Sequence, residues 1–306
     1  MDAHEMKDEL DLKRILIYVA WACGIAWAGG LALYLTGGLA NDLRTMLLLT
    51  IVYMGAPAMA HVLTRLVTRE GWHGLYLWPR LRRGWPYWLV CWFAPGLLTF
   101  AGAAVFFALF PRYYDPSLDA VRRLLQAAAE QAGQPMPEIS PWLVVVTQTV
   151  QAMLIAPILN ALPTLGEEFG WRAYLQPRLM ALGGRKAVLL TGAIWGVWHW
   201  PAIAMGRNYG LRYPGAPWLG VLAMVWFTLA LGTLLGWASL RAGSVWPAVI
   251  GHGAINGMAG IGALFVQGQP NPLLGPLPVG LIGSAGLALA ALAILAWRGA
   301  LEPVGS

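Results

Sequence analysis

The chain has 306 residues, 58% of them hydrophobic and only 11% charged, with a mean hydropathy of +0.59. A soluble domain carries about 25% charged residues, so this composition excludes an ordinary soluble enzyme. The net charge of +6 comes from basic residues in short loops between apolar runs. That pattern is a membrane topology signal and not a nucleic-acid-binding face.

The first residues are mixed and mainly acidic (Asp2, Glu5, Asp8, Glu9, Asp11) and end in Lys13-Arg14. A cleaved signal peptide would begin with basic residues and a short apolar run. Here the run from Ile15 is long enough to span, which predicts a retained first helix. A span needs about 20 mostly apolar residues. The runs that qualify are 15–36, 45–66, 85–110, 141–164, 186–205, 216–240, 245–266 and 275–297. The fourth contains Pro157 and Pro163, which should kink or break it, and Pro201 falls near the end of the fifth. Long apolar runs without two-residue alternation argue against a β-barrel. The expected fold is all-α, a polytopic membrane bundle of about eight transmembrane helices.

Eight spans with a cytosolic N-terminus place 14 Lys and Arg on the cytosolic side and 6 outside, which accounts for all 20. Positive residues collect inside, so both termini are expected in the cytosol. The stretch Arg69 to Arg83, with Trp72, Tyr76 and Trp78, reads as an interfacial segment on that face. Segment 111–140 falls outside, with a short amphipathic helix over Ser117 to Gln131 and an extended break at Gln134-Pro135-Met136-Pro137. Cys23 and Cys91 both sit in apolar runs and form neither a disulfide framework nor a metal spacing. No internal repeat is visible.

Charge is nearly absent from the apolar runs, so Gly166-Glu167-Glu168-Phe169-Gly170-Trp171-Arg172 stands out. Ionisable groups at membrane depth are costly and point to function. Adjacent glutamates on a helix diverge by about 100°. Arg172 is four residues after Glu168, on its face and able to pair with it, which leaves Glu167 to point elsewhere. A solvated charge cluster at a helix end is the plainer reading. His199 lies about 20 Å along its run from Lys186 at 1.5 Å per residue, where a buried neutral ring bonded to a carbonyl is the plainer reading. His252 and Asn256 share a helix face, flanked by Gly251, Gly253 and Gly257, which would also serve close helix packing. Taken together, the three runs hold four polar groups suited to activating water and binding an oxyanion.

These residues resemble the motifs of the CPBP family of intramembrane proteases (CAAX proteases and bacteriocin-processing enzymes, also called Abi). The EExxxR motif matches Glu167 to Arg172, an aromatic one turn before a histidine matches Trp195 and His199, and HxxxN matches His252 to Asn256. The resemblance covers roughly 141–266, leaving 1–140 as N-terminal helices with the outer loop and 267–306 as a C-terminal helix. It implies peptide-bond hydrolysis in a cytosol-facing polar cavity. It also implies roles: Glu167 as general base, His199 positioning the water, and His252 and Asn256 stabilising the oxyanion. Glu168 and Arg172 would hold the helix end, and Trp195 would pack against the His199 ring.

Glu167, His199, His252 and Asn256 could instead bind zinc, but there is no HExxH motif, and the metal-free reading is favoured with no cofactor expected. A non-catalytic scaffold or immunity-type protein that keeps the fold is the runner-up, and a transporter ranks third for want of repeat symmetry. The expected partners are membrane lipids and a membrane-associated peptide or protein substrate, with no nucleic acid. Prenylated CAAX proteins, peptide leaders and membrane-protein tails are all compatible. Nothing in the chain sets an oligomeric state.

Overall fold

The computed structural model describes residues 10–39, 42–136 and 138–302. The acidic stretch 1–9 with Lys7, Pro137, and the C-terminal end at 303–306 lie outside the described residues. Those described are helical, with no strand and one isolated antiparallel bridge between Tyr114 and Val266. The chain is a multi-pass membrane protein by the length and composition of its helices.

Among the described residues, five helices are long and apolar enough to cross a membrane: α1 (Leu12–Leu35), α2 (Leu43–Thr68), α3 (Leu81–Leu109), α8 (Trp218–Ala242) and one that begins with α9 (Trp246–Met258) and runs over Trp246–Phe265. Helix α4 (Asp119–Gln131) is the short amphipathic helix that the sequence predicts between the third and fourth runs. The remaining expected spans are shorter or broken. Run 141–164 becomes α5 (Pro141–Leu154), a single turn Ala156–Leu159, and the start of α6 (Ala161–Gly170). Pro157 and Pro163 each fall in the first turn of a new piece, where their missing N–H costs nothing. Run 186–205 becomes α7 (Gly184–Trp198), capped at His199, followed by Trp200–Ala204. Run 275–297 is helical only over α10 (Ala285–Ala296).

Local chemistry sets these boundaries. Asp11 opens α1 by accepting from the Arg14 N–H at 3.1 Å, and Asp42 opens α2 by accepting from the Thr45 N–H at 2.7 Å. Helix α8 ends at Gly243, whose φ of +64° closes the helix in the left-handed region. Helix α2 is interrupted by a π-turn at Leu48–Tyr53.

Helices α8 and α9 form the centre, and close approach is built from small residues. A Cβ at Gly192 or Gly196 of α7 would meet the α8 backbone at 2.9 and 2.6 Å, and one at Gly253 of α9 would meet the Pro157 carbonyl at 2.8 Å. The glycines beside His252 are thus packing residues. On the side expected to face the cytosol, segment 69–80 is strapped down by Arg65, which donates to the carbonyls of Gly71 and His73 at 2.6 and 2.8 Å. The Trp246 indole ties the same segment by donating to the Leu77 carbonyl at 2.7 Å. Trp72 and Trp78 are left exposed.

Candidate active site

Helix α6 carries both glutamates inward. It crosses α2 closely, since a Cβ at Gly166 would fall 2.8 Å from the Met54 carbonyl oxygen. Just beyond Gly170 the helix widens into a π-turn, Trp171–Leu175, a distortion often found at functional sites. Glu167, Glu168 and Arg172 are all buried. The solvated-cluster reading therefore does not hold.

The two carboxylates have different surroundings. Arg172 Nη1 lies 2.9 Å from Glu168 Oε2 and 3.1 Å from Oε1, the pairing that the four-residue spacing predicts. Only the contact to Oε1 is aligned as a hydrogen bond, so the approach to Oε2 is electrostatic. The same Oε1 accepts from His252 Nδ1–H at 2.9 Å. Glu168 thus serves two partners on two elements. Arg172 Nε and Nη2 have no hydrogen-bond partner among the described residues. Its guanidinium instead lies over the Trp195 ring, 4.6 Å from the centroid.

Glu167 is held from α7. The Trp195 indole Nε1 donates to its Oε2 at 2.8 Å, while Oε1 has no hydrogen bond to any described residue. Trp195 also connects to both histidines. Its carbonyl accepts from His199 Nδ1–H at 2.8 Å, and its ring meets His252 edge-on at 5.2 Å. The expected packing of Trp195 on His199 is present, with ring centroids 5.9 Å apart. Its hydrogen bond to Glu167 is not legible in the sequence, since an indole in an apolar run gives no sign of its partner.

The two carbonyl and carboxylate bonds decide the tautomers. A backbone carbonyl can only accept, so His199 carries its hydrogen on Nδ1 and, when neutral, presents Nε2 as a lone pair. His252 likewise commits Nδ1–H to Glu168, leaving Nε2 as its free position. Asn256, one turn after His252, is exposed, and its side chain has no hydrogen bond to any described residue. Among the described residues no three His, Cys, Asp or Glu side chains are grouped so as to hold a metal ion.

Two inward residues of α2 escape any sequence motif. His61 donates from Nδ1 to the Phe169 carbonyl at 2.8 Å, and its Nε2 accepts from Arg65 Nε at 2.7 Å. Asn160 donates to the Gly253 carbonyl at 3.0 Å, and Thr164 Oγ1 to the Val249 carbonyl at 3.0 Å, which fastens α6 to α9. The cue available in the sequence was small: polar residues at helical spacing in runs that also hold interfacial aromatics.

Residues 141–258 match the family model described as Type II CAAX prenyl endopeptidase Rce1-like. No curated protein compared with the chain matches it. The matched segment holds all three motifs, from Glu167 to Asn256, while His61 and Arg65 lie outside it. By that match, residues 141–258 of this multi-pass membrane protein are similar to the type II CAAX prenyl endopeptidases that its motifs resemble.

Proposed function

We propose that the chain is an intramembrane endopeptidase that hydrolyses a peptide bond in a membrane-associated protein or peptide, working in a polar cavity open to the cytosol. The asymmetry of the Glu167 carboxylate carries this reading. One oxygen is fixed by Trp195, and the other has no hydrogen bond to any described residue. A carboxylate held in this way can take a proton from water without first reorienting.

In the reaction, a water bound between Glu167 Oε1 and His199 Nε2 gives its proton to Glu167 as its oxygen bonds to the peptide carbonyl carbon. The carbonyl π electrons move to oxygen, and the oxyanion is met by His252 Nε2–H. The C–N bond then breaks, and Glu167 returns the proton to the leaving amine. Donation by Nε2 requires His252 as imidazolium. Two carboxylates and one guanidinium leave one negative charge in the site, which an imidazolium at His252 balances next to Glu168. Asn256 is exposed, so its amide joins the oxyanion site only where a bound substrate covers that face.

The test is cleavage of a membrane-bound peptide by the purified full chain in detergent, alongside Glu167→Gln. Wild-type turnover by Glu167→Gln would sink the role given to Glu167. Dialysis against a chelator should leave cleavage unchanged, and loss restored by zinc would reverse that part of the reading. The 14-to-6 distribution of Lys and Arg supports both termini in the cytosol and the loop at 111–140 outside. Cysteines placed at exposed Ala127 on α4 and at Ser306 should then label from opposite sides of the membrane. Labelling from one side would reject that topology.

A further inference from the structure

Helix α7 ends at Trp198, and the chain re-enters a helical turn at Trp200 with Pro201 in its first positions. His199 is the hinge between the two pieces. A break of this kind at membrane depth leaves backbone groups that must find partners. The partners come from helices outside the family-matched segment. Tyr53 Oη, from the π-turn of α2, donates to the Trp198 carbonyl at 2.8 Å. In an uninterrupted helix the N–H of residue 202 would reach the Trp198 carbonyl, and the Tyr53 hydroxyl takes that place. Trp27 of α1 adds a second donor to the Trp198 carbonyl, from Nε1 at 3.2 Å.

The π-turn of α2 supplies the reach. Tyr53 is 3% exposed, and its ring lies against that of Trp198 with centroids 4.6 Å apart. Trp198 in turn meets the His199 ring edge-on at 4.8 Å. From the other side His199 is held by the Trp195 carbonyl. Its backbone is thus fixed by Tyr53 and its ring by Trp195 and Trp198.

We propose that Tyr53 is a positioning residue for His199, so that the two N-terminal helices complete the catalytic site and are not only a lipid-facing wall. This rests on the proposed role of His199 in orienting the attacking water. A near-attack geometry is sensitive to small displacements, and loss of the hydroxyl lets the hinge relax while the apolar ring stays in place.

The experiment compares the full chain with Tyr53→Phe, Trp27→Phe and His199→Ala in detergent. Tyr53→Phe should lower kcat about tenfold at unchanged KM, the signature of a lost interaction that orients reacting groups rather than binds substrate. Combined with His199→Ala it should add nothing further, because the two act as one unit. A second readout needs no turnover: the rate at which diethylpyrocarbonate modifies His199, followed by peptide mass, should change in Tyr53→Phe. Trp27→Phe keeps the ring and removes the weaker donor, so it should change both readouts less. Unchanged kcat together with an unchanged modification rate in Tyr53→Phe overturns the proposal. A rise in KM with kcat preserved also overturns it. If the wild-type chain cleaves nothing, the protease reading fails on its own, and the modification rate still decides whether Tyr53 holds His199.

Discussion

Helices α8 and α1 have similar length and hydropathy, 25 residues at 2.0 and 24 residues at 1.8. Their surroundings differ: 72% of the most apolar window of α8 is buried inside the protein, against 33% for α1. Helix α2, at 28%, lies further out still. Yet the outer pair sends Tyr53, Trp27 and His61 to backbone carbonyls of the motif-bearing helices. Hydropathy marks which helices can span but does not tell a wall facing lipid from one that also braces a site. That distinction lies in single polar atoms and their partners, and mutations can probe it.

The largest effect is expected inside the motif-bearing half. Glu167→Gln keeps the shape and the contact with Trp195 but cannot accept a proton. Turnover of a membrane-bound peptide should fall by about a hundredfold or more, the usual scale of general-base loss, with thermal stability in detergent retained. Glu168 should behave in the opposite way. Removing it leaves Arg172 buried without its counter-charge, and a broken buried pair costs about 3–5 kcal/mol. Glu168→Ala and Arg172→Ala should each destabilise strongly, and the double variant much less than their sum. Additive losses in that cycle would count against the coupling that the 2.9 Å contact implies.

Trp195→Phe tests the link between the two kinds of glutamate. The ring stays beside Arg172 and His252, and only the donor to Glu167 is lost. We expect turnover to drop about tenfold, within the range for a lost orienting bond, with little change in melting temperature. On the outer wall, His61→Phe should remove a buried donor and acceptor together, stranding the Phe169 carbonyl and Arg65 Nε. An unsatisfied buried polar group costs about 1–3 kcal/mol, and thermal unfolding should register a loss of that size.

Much of this arrangement was legible in the sequence. Three charges in an apolar run, two histidines in later runs, and the four-residue step from Glu168 to Arg172 were enough to predict the pairing and an all-helical membrane fold. The prolines at 157 and 163 marked where the fourth run would break. Less legible were contacts set by tertiary approach. Trp195 and Tyr53 are aromatic residues in a chain with 17 Trp and 10 Tyr, and composition alone makes each of them an interfacial anchor. Only the crossing of α2 and α6 at Gly166, and the π-turns that re-aim side chains, turn them into hydrogen-bond donors. Helix count was hard to read for a related reason: a run can be apolar enough to span and still be cut, as 186–205 is at His199.

The smallest effect is expected at Asn256, where helix-face reasoning and the structure part. A four-residue step puts Asn256 on the face of His252, yet His252 is 5% exposed and held by Glu168, while Asn256 is exposed and its side chain makes no hydrogen bond to a described residue. Nothing in the fold depends on its amide, so Asn256→Ala should leave the melting temperature unchanged. Any cost must arise when a substrate covers that face and its oxyanion draws the amide in. One oxyanion donor can be worth about a hundredfold in a preorganised, water-excluded site. An exposed side chain on a rotatable stem is not preorganised, so the expected loss in kcat is about tenfold or less. Comparing Asn256→Ala with Asn256→Asp sharpens the point, since the carboxylate keeps the shape but repels the oxyanion. Asn256→Asp should be the slower of the two, with KM little changed in both. Equal rates for the two variants would remove Asn256 from the oxyanion site and leave His252 to stabilise it alone.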